Sequence, residues 1–132
     1  LDRLALAQEV QRRAADCGRV IPALVQVNIS GEEQKGGMPP DEVLPFLRQM
    51  RDFSNIHIEG LMSIMPAMAT QEELTQLFRG MRRLFEQLRQ EAVDGVEMRE
   101  LSMGMSGDYT IAAREGATMV RIGTALYQPL KR

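Results

Sequence analysis

Segments of helical periodicity alternate with apolar, β-rich runs along this chain, and that alternation constrains its fold more than any single residue does. Leu1, Leu4, Ala7, Val10, Ala14 and Cys17 recur at helical spacing, and Gly18 stands where a helix would stop. Residues 23–29, after Pro22, read as a strand buried on both faces, too apolar and β-branched for an edge. A polar, glycine-rich loop covers 30–40. Val43, Leu44, Phe46, Leu47 and Met50 then mark a second helix, with Pro45 tolerable near its first turn. Residues 56–65 read as the second strand. Thr70 and Glu73 form a capping-box pattern before the apolar face of Leu74, Leu77, Phe78, Met81, Leu84, Phe85 and Leu88. Beyond Asp94 and Gly95, residues 97–105 read as the third strand, 108–114 as a short helix and 118–127 as the fourth strand. The order αβαβαβαβ predicts an α/β fold of parallel strands with right-handed crossovers and helices outside.

The 132 residues, 44% of them hydrophobic, suffice for one domain with a real core, taken as 1–132. A formal net charge of −2 gives no electrostatic reason to expect nucleic acid or an anionic membrane as partner. The apolar runs are too short to span a bilayer, and the N-terminus is amphipathic, without the apolar block of a secretory signal, so a cytoplasmic location is expected. With one cysteine and one histidine, Cys17 and His57, no disulfide framework or metal site is expected. Cys17 reads as a small buried hydrophobe near a helix end. The chain opens at Leu1 inside a helical pattern, and residues are expected upstream. Several of the ten methionines, among them Met38, Met65, Met68 and Met103, fall in or near strand ends and loops, where core gap-filling is the commoner use.

Two turns carry the chemistry. The third strand ends in Gly104-Met105-Ser106-Gly107 and runs directly into a helix, which offers unpaired backbone N–H groups, the Ser106 hydroxyl and glycines that let a ligand approach. The fourth repeats the theme in Arg121-Ile122-Gly123-Thr124. Adjacent parallel strands with such ends can close on one phosphate, as the last two strands of many eight-stranded β/α barrels do. The competing readings are an ordinary helix N-cap for Ser106, with Asp108 favouring the helix dipole, and a close strand contact for Gly123.

The segment LSMGMSGDYTIAAREGATMVRIG, residues 101–123, resembles the signature of the pyridoxal phosphate homeostasis proteins, which are related to the N-terminal barrel of alanine racemase. Leu1–Leu4, Val25–Ser30 with Lys35 and Gly36, and Gly60–Ile64 resemble further stretches of that family, so the similarity covers essentially the whole chain. The resemblance implies a partial (β/α)8 barrel, its second half, with four parallel strands and pyridoxal 5'-phosphate at their C-terminal ends. Carried over, Ser106 would bind the phosphate with Gly123 and Thr124, while Gly104 and Met105 line the turn. Arg121 would face the pyridine nitrogen, where a guanidinium keeps the ring unprotonated and favours carrying the cofactor over carbanion chemistry. Ala117 and Gln128-Pro129 depart from the family pattern at the edge of the site. The resemblance implies that the family's aldimine lysine belongs to a first half-barrel outside these 132 residues, and neither Lys35 nor Lys131 is a good substitute.

The implied function is binding and delivery of pyridoxal phosphate without turnover. The alternatives are a racemase- or decarboxylase-like enzyme, for which Tyr109 and Tyr127 are the only tyrosines, and a sugar-phosphate barrel, for which the strand ends lack paired carboxylates. Half a barrel leaves strand edges unpaired, so self-association through them, or association with the missing half, is expected.

Overall fold

A computed structural model describes residues 1–33 and 36–129; Lys35 and Lys131 lie outside the described residues. Helix α1 spans Leu4–Asp16, α2 Pro40–Met50, α3 Gln71–Glu91 and α4 Tyr109–Arg114. The strands are β1 Ile21–Gln26, β2 Ile56–Met62, β3 Val96–Met105 and β4 Met119–Arg121, followed by a 3₁₀ turn at Thr124–Tyr127. All three strand pairings are parallel, in the order β1-β2-β3-β4. Sequential parallel strands joined by right-handed crossovers place every helix on the same side of the sheet, and the result is half of a β/α barrel.

The helix-facing side carries the core. Val25, Ile58, Leu61, Leu101 and Met103 from the strands meet Val43, Leu47, Phe78, Met81 and Phe85 from α2 and α3. The alternation of β2 then puts His57 and Glu59 on the opposite, concave side. There Arg99 pairs with Glu59 at 2.9 Å, and His57 lies between Glu59 at 3.4 Å and Glu97 at 3.7 Å. Two local devices hold this arrangement. Thr70 and Glu73 form the predicted capping box at the start of α3, with reciprocal bonds of 3.2 and 2.8 Å. Gly60 sits at φ +149 where the β2–β3 register shifts, and a Cβ there would lie 1.8 Å from the Glu100 carbonyl oxygen.

Several expectations need correction, among them the second strand, which ends at Met62 and not at 65. The first strand runs from Ile21 to Gln26 and forms one side of the sheet, with Val25 alone fully buried within it. An outer position tolerates Pro22, which has no donor to give. Its outer side is met by Leu1, whose backbone nitrogen donates to the Leu24 carbonyl at 2.7 Å and whose carbonyl accepts from Gln26 N–H at 2.8 Å. The fourth strand is only three residues long, because the chain turns at Gly123 into the 3₁₀ segment. Pro45 lies inside α2, whose first turn holds Pro40 instead. Cys17 is exposed at the end of α1, where it follows the polar Asp16 and faces away from the core. Gap-filling does account for Met38, Met65 and Met103, all buried, but not for Met68, which is 94% exposed.

Among the described residues no helix is long and apolar enough to cross a membrane, and no group of three or more His, Cys, Asp or Glu could hold a metal.

Candidate functional site

Parallel pairing of β3 with β4, with Met105 opposite Arg121, brings the two predicted turns to the same end of the sheet. They meet on one atom. Ser106 Oγ accepts the Gly123 N–H and the Ala125 N–H, each at 3.2 Å. With both lone pairs engaged, the hydroxyl proton remains to donate, which is the polarity an anion requires. Ser106 is therefore not the N-cap of α4. Asp108 occupies that position, and its carboxylate turns back to accept the Met105 N–H at 2.7 Å, closing the turn after β3.

The rim residues differ in what they contribute. Gly123 is exposed, and nothing lies within 4 Å of where its Cβ would be, so a ligand can approach its main chain, although its N–H is held by Ser106 Oγ. Thr124 is exposed beside it and Met105 is 43% exposed. Gly104 has a different reason to be glycine. At φ +101 its missing Cβ would fall 2.7 Å from Ala112 Cβ and 3.1 Å from Tyr109 Cα, so its smallness lets α4 pack on β3, and ligand approach is not what demands it.

Arg121 lies across the same rim. Its Nη2 donates to the Ser63 carbonyl just past β2 at 2.5 Å, while its Nε is buried without a partner. Burial pulls the guanidinium below its ordinary pKa and the Asp108 carboxylate opposes that shift, so the group stays cationic. The site thus unites a hydroxyl, two convergent amides and a guanidinium on the ends of β3 and β4.

A separate cavity of about 730 Å³ lies between the segments after β1 and β2 and the start of α3. Glu32, Glu72 and Glu73 line it, and such a wall repels an anion. Residue reasoning missed two contributors to the rim. The Ala125 amide escaped because 118–127 read as continuous strand, and Ser63 gave no signal beyond its place at a strand end.

The residues present fit a phosphorylated ring. The Ser106 hydroxyl, whose proton is left to donate once its oxygen accepts both amides, suits the phosphate, and the partnerless buried Nε suits a ring acceptor.

Residues 1–130 match the family model described as alanine racemase, N-terminal domain. The chain is 41% identical over 127 residues to the pyridoxal phosphate homeostasis protein of Aquifex aeolicus, covering 96% of this chain and 55% of the relative. It is 40% identical over 131 residues to that of Pasteurella multocida, covering 96% and 54%. The chain thus spans about half the length of the curated relatives it matches. Among solved structures, PipY of Synechococcus elongatus with pyridoxal phosphate bound superposes with a TM-score of 0.86 at 34% identity, over 97% of this chain and 58% of PipY. An alanine racemase of Clostridium difficile matches at TM-score 0.77 and 17% identity, over 100% of this chain and 36% of the racemase, which shows the shared fold. The half-barrel and the sequence matches agree: the chain belongs to the alanine racemase N-terminal-domain family and, within it, is similar to the pyridoxal phosphate homeostasis proteins.

Proposed function

We propose that the strand-end rim of this chain binds pyridoxal 5'-phosphate and serves the cofactor-handling role for which its relatives are named, without turnover of its own. The observation that carries the reading is the convergence of the Gly123 and Ala125 amides on Ser106 Oγ beside the partnerless Arg121 Nε. Ser106, Gly123 and Thr124 hold the phosphate, and Arg121 faces the ring nitrogen. When bound, the cofactor supplies an aldehyde and, if its ring nitrogen is protonated, an electron sink. A permanently protonated guanidinium at that nitrogen donates its own hydrogen bond and keeps the ring neutral, which supports carriage over carbanion chemistry.

Association accompanies this role: the exposed Met119 and Val120 of β4, with Leu126 and Tyr127 beyond, form an edge suited to pairing with a further strand, from a second copy or from a complementary half-barrel.

Equilibrium dialysis of the chain against pyridoxal 5'-phosphate tests the reading. Retention that competes with inorganic phosphate and falls in Ser106→Ala is expected. Absence of retention by the unaltered chain overturns it.

A further inference from the structure

The cavity of about 730 Å³ beside α3 has no part in the phosphate rim. It opens at the same end of the sheet, because the segments after β1 and β2 follow the C-terminal ends of parallel strands, as the turns after β3 and β4 do. Two kinds of residue face it. Pro66, Met68, Ala69 and Leu77 supply apolar surface, and Glu32, Glu72 and Glu73 supply carboxylates, while among the described residues no Lys or Arg lines it.

Helix chemistry accounts for part of this wall. Glu72 and Glu73 sit in the first turn of α3, where the helix dipole favours negative charge, and Glu73 also closes the capping box by accepting the Thr70 N–H at 2.8 Å. It accounts neither for Glu32, which comes from the opposite segment after β1, nor for Met68. Met68 is 94% exposed and forgoes the burial that its neighbours Met65 and Leu74 obtain. A flexible thioether at the mouth of an acidic cavity can shape itself to an apolar ligand, and the carboxylates around it select a cation. Glu72 is exposed and makes no hydrogen bond or ion pair with a described residue, so its charge is available to such a ligand.

We propose that this cavity docks a lysine-bearing apolar segment of another protein. A lysine matches both kinds of wall at once, its four-carbon stem against Met68 and Leu77 and its ammonium toward Glu72. An apolar neighbour in the segment fills the space beside Pro66 and Ala69, and Ser30 and Gln76 offer polar groups to its main chain. Because the carboxylates repel phosphates, this surface is distinct from the cofactor rim, and the proposal stands whether or not the rim holds pyridoxal 5'-phosphate.

Fluorescence polarisation of the full chain with a labelled octapeptide of alternating lysine and leucine tests it, beside two peptides with glutamate for lysine or serine for leucine. At physiological salt the chain should bind the lysine–leucine peptide, should bind the lysine–serine peptide about tenfold more weakly, and should not measurably bind the glutamate–leucine one. Met68→Ser and Glu72→Lys should each weaken the first about tenfold, and both positions are exposed, so the fold is left intact. Asp52→Lys makes the same charge change at the opposite end of the sheet, ahead of β2, and should alter binding little. In ¹³C spectra of the methionine methyls, the signal missing from Met68→Ser should be the one that the peptide shifts. Weakening by Asp52→Lys equal to that by Glu72→Lys means attraction to net charge alone and overturns the proposal. Full affinity in Met68→Ser, or no binding by the unaltered chain, overturns it too. Ser106→Ala should bind the peptide as the unaltered chain does; a loss there puts the peptide on the cofactor rim and also overturns the docking surface.

Discussion

Ser106 Oγ and the Gly123 amide stand 3.2 Å apart, joining the turn after β3 to the turn after β4 through a side chain seventeen residues away in sequence. The same oxygen takes the Ala125 amide, so one hydroxyl organises the start of the 3₁₀ segment. Replacing Ser106 by Ala leaves both amides without that acceptor and removes the side-chain hydroxyl that binds the two turns together. Affinity for pyridoxal 5'-phosphate, read by fluorescence titration, should fall about tenfold, in line with losing one charge-assisted hydrogen bond. Equal affinity in the variant would remove Ser106 from the site.

Gly60 is held by backbone geometry alone. A Cβ at this position meets the Glu100 carbonyl oxygen, which no rotamer change can move, and φ +149 is itself strained for any other residue. Gly60→Ala should therefore destabilise the chain by ~2 kcal/mol or more through separation of β2 from β3. Urea unfolding followed by far-UV circular dichroism checks this, and a midpoint matching the wild type would contradict the contact.

The Thr70–Glu73 box ties off the long helix α3, which carries much of the core. Thr70→Ala should cost about 1 kcal/mol, and Thr70→Ser should retain most of it. The comparison of the two urea midpoints makes the test specific to the hydroxyl, since both variants lose the methyl group.

Acid should loosen two surface clamps. Hydrogen bonds from Arg12 and Arg13 hold the Glu9 carboxyl at about 2, below its ordinary 4.5, and the Arg79 guanidinium lowers Glu115 likewise. A carboxylate whose pKa is lowered by folding contributes stability that is complete above its unfolded value and disappears as pH falls through the folded one. For Glu9 that window lies between 4.5 and about 2. Glu9→Gln and Glu115→Gln should each flatten the acid limb of a stability–pH curve and change little near neutrality, because these pairs are solvent-screened. Thermal melts across that range would expose an unchanged acid limb if the clamps contribute nothing.

Exposed apolar residues on β4 predict association. Static light scattering at micromolar concentration should give a mass above the monomer, and Val120→Lys, which places a charge on the edge, should return it toward 14.9 kDa. A stable monomer in the unaltered chain would refute edge pairing.

Local physics was legible in the sequence. The capping box, the apolar stripe of α3 and the βα alternation each arise from residues close together along the chain, whose periodicity and cap chemistry act before any tertiary contact forms. The strand limits were less legible, because a β-branched run does not disclose whether a neighbour pairs it. Thr118 to Tyr127 reads as strand, yet it bends after Arg121, where Ser106, from the turn after β3, captures the Gly123 and Ala125 amides.

The site divides in the same way. Sequence alone determined that Ser106, Gly123 and Arg121 lie at strand ends, since residue type and local order suffice for that. Only the tertiary structure decided that Gly104 serves helix packing, that Asp108 closes its own turn and that Ser63 holds Arg121. Those relationships depend on parallel register between strands separated by whole helices, and register is settled when the sheet and its helices bury their apolar faces together.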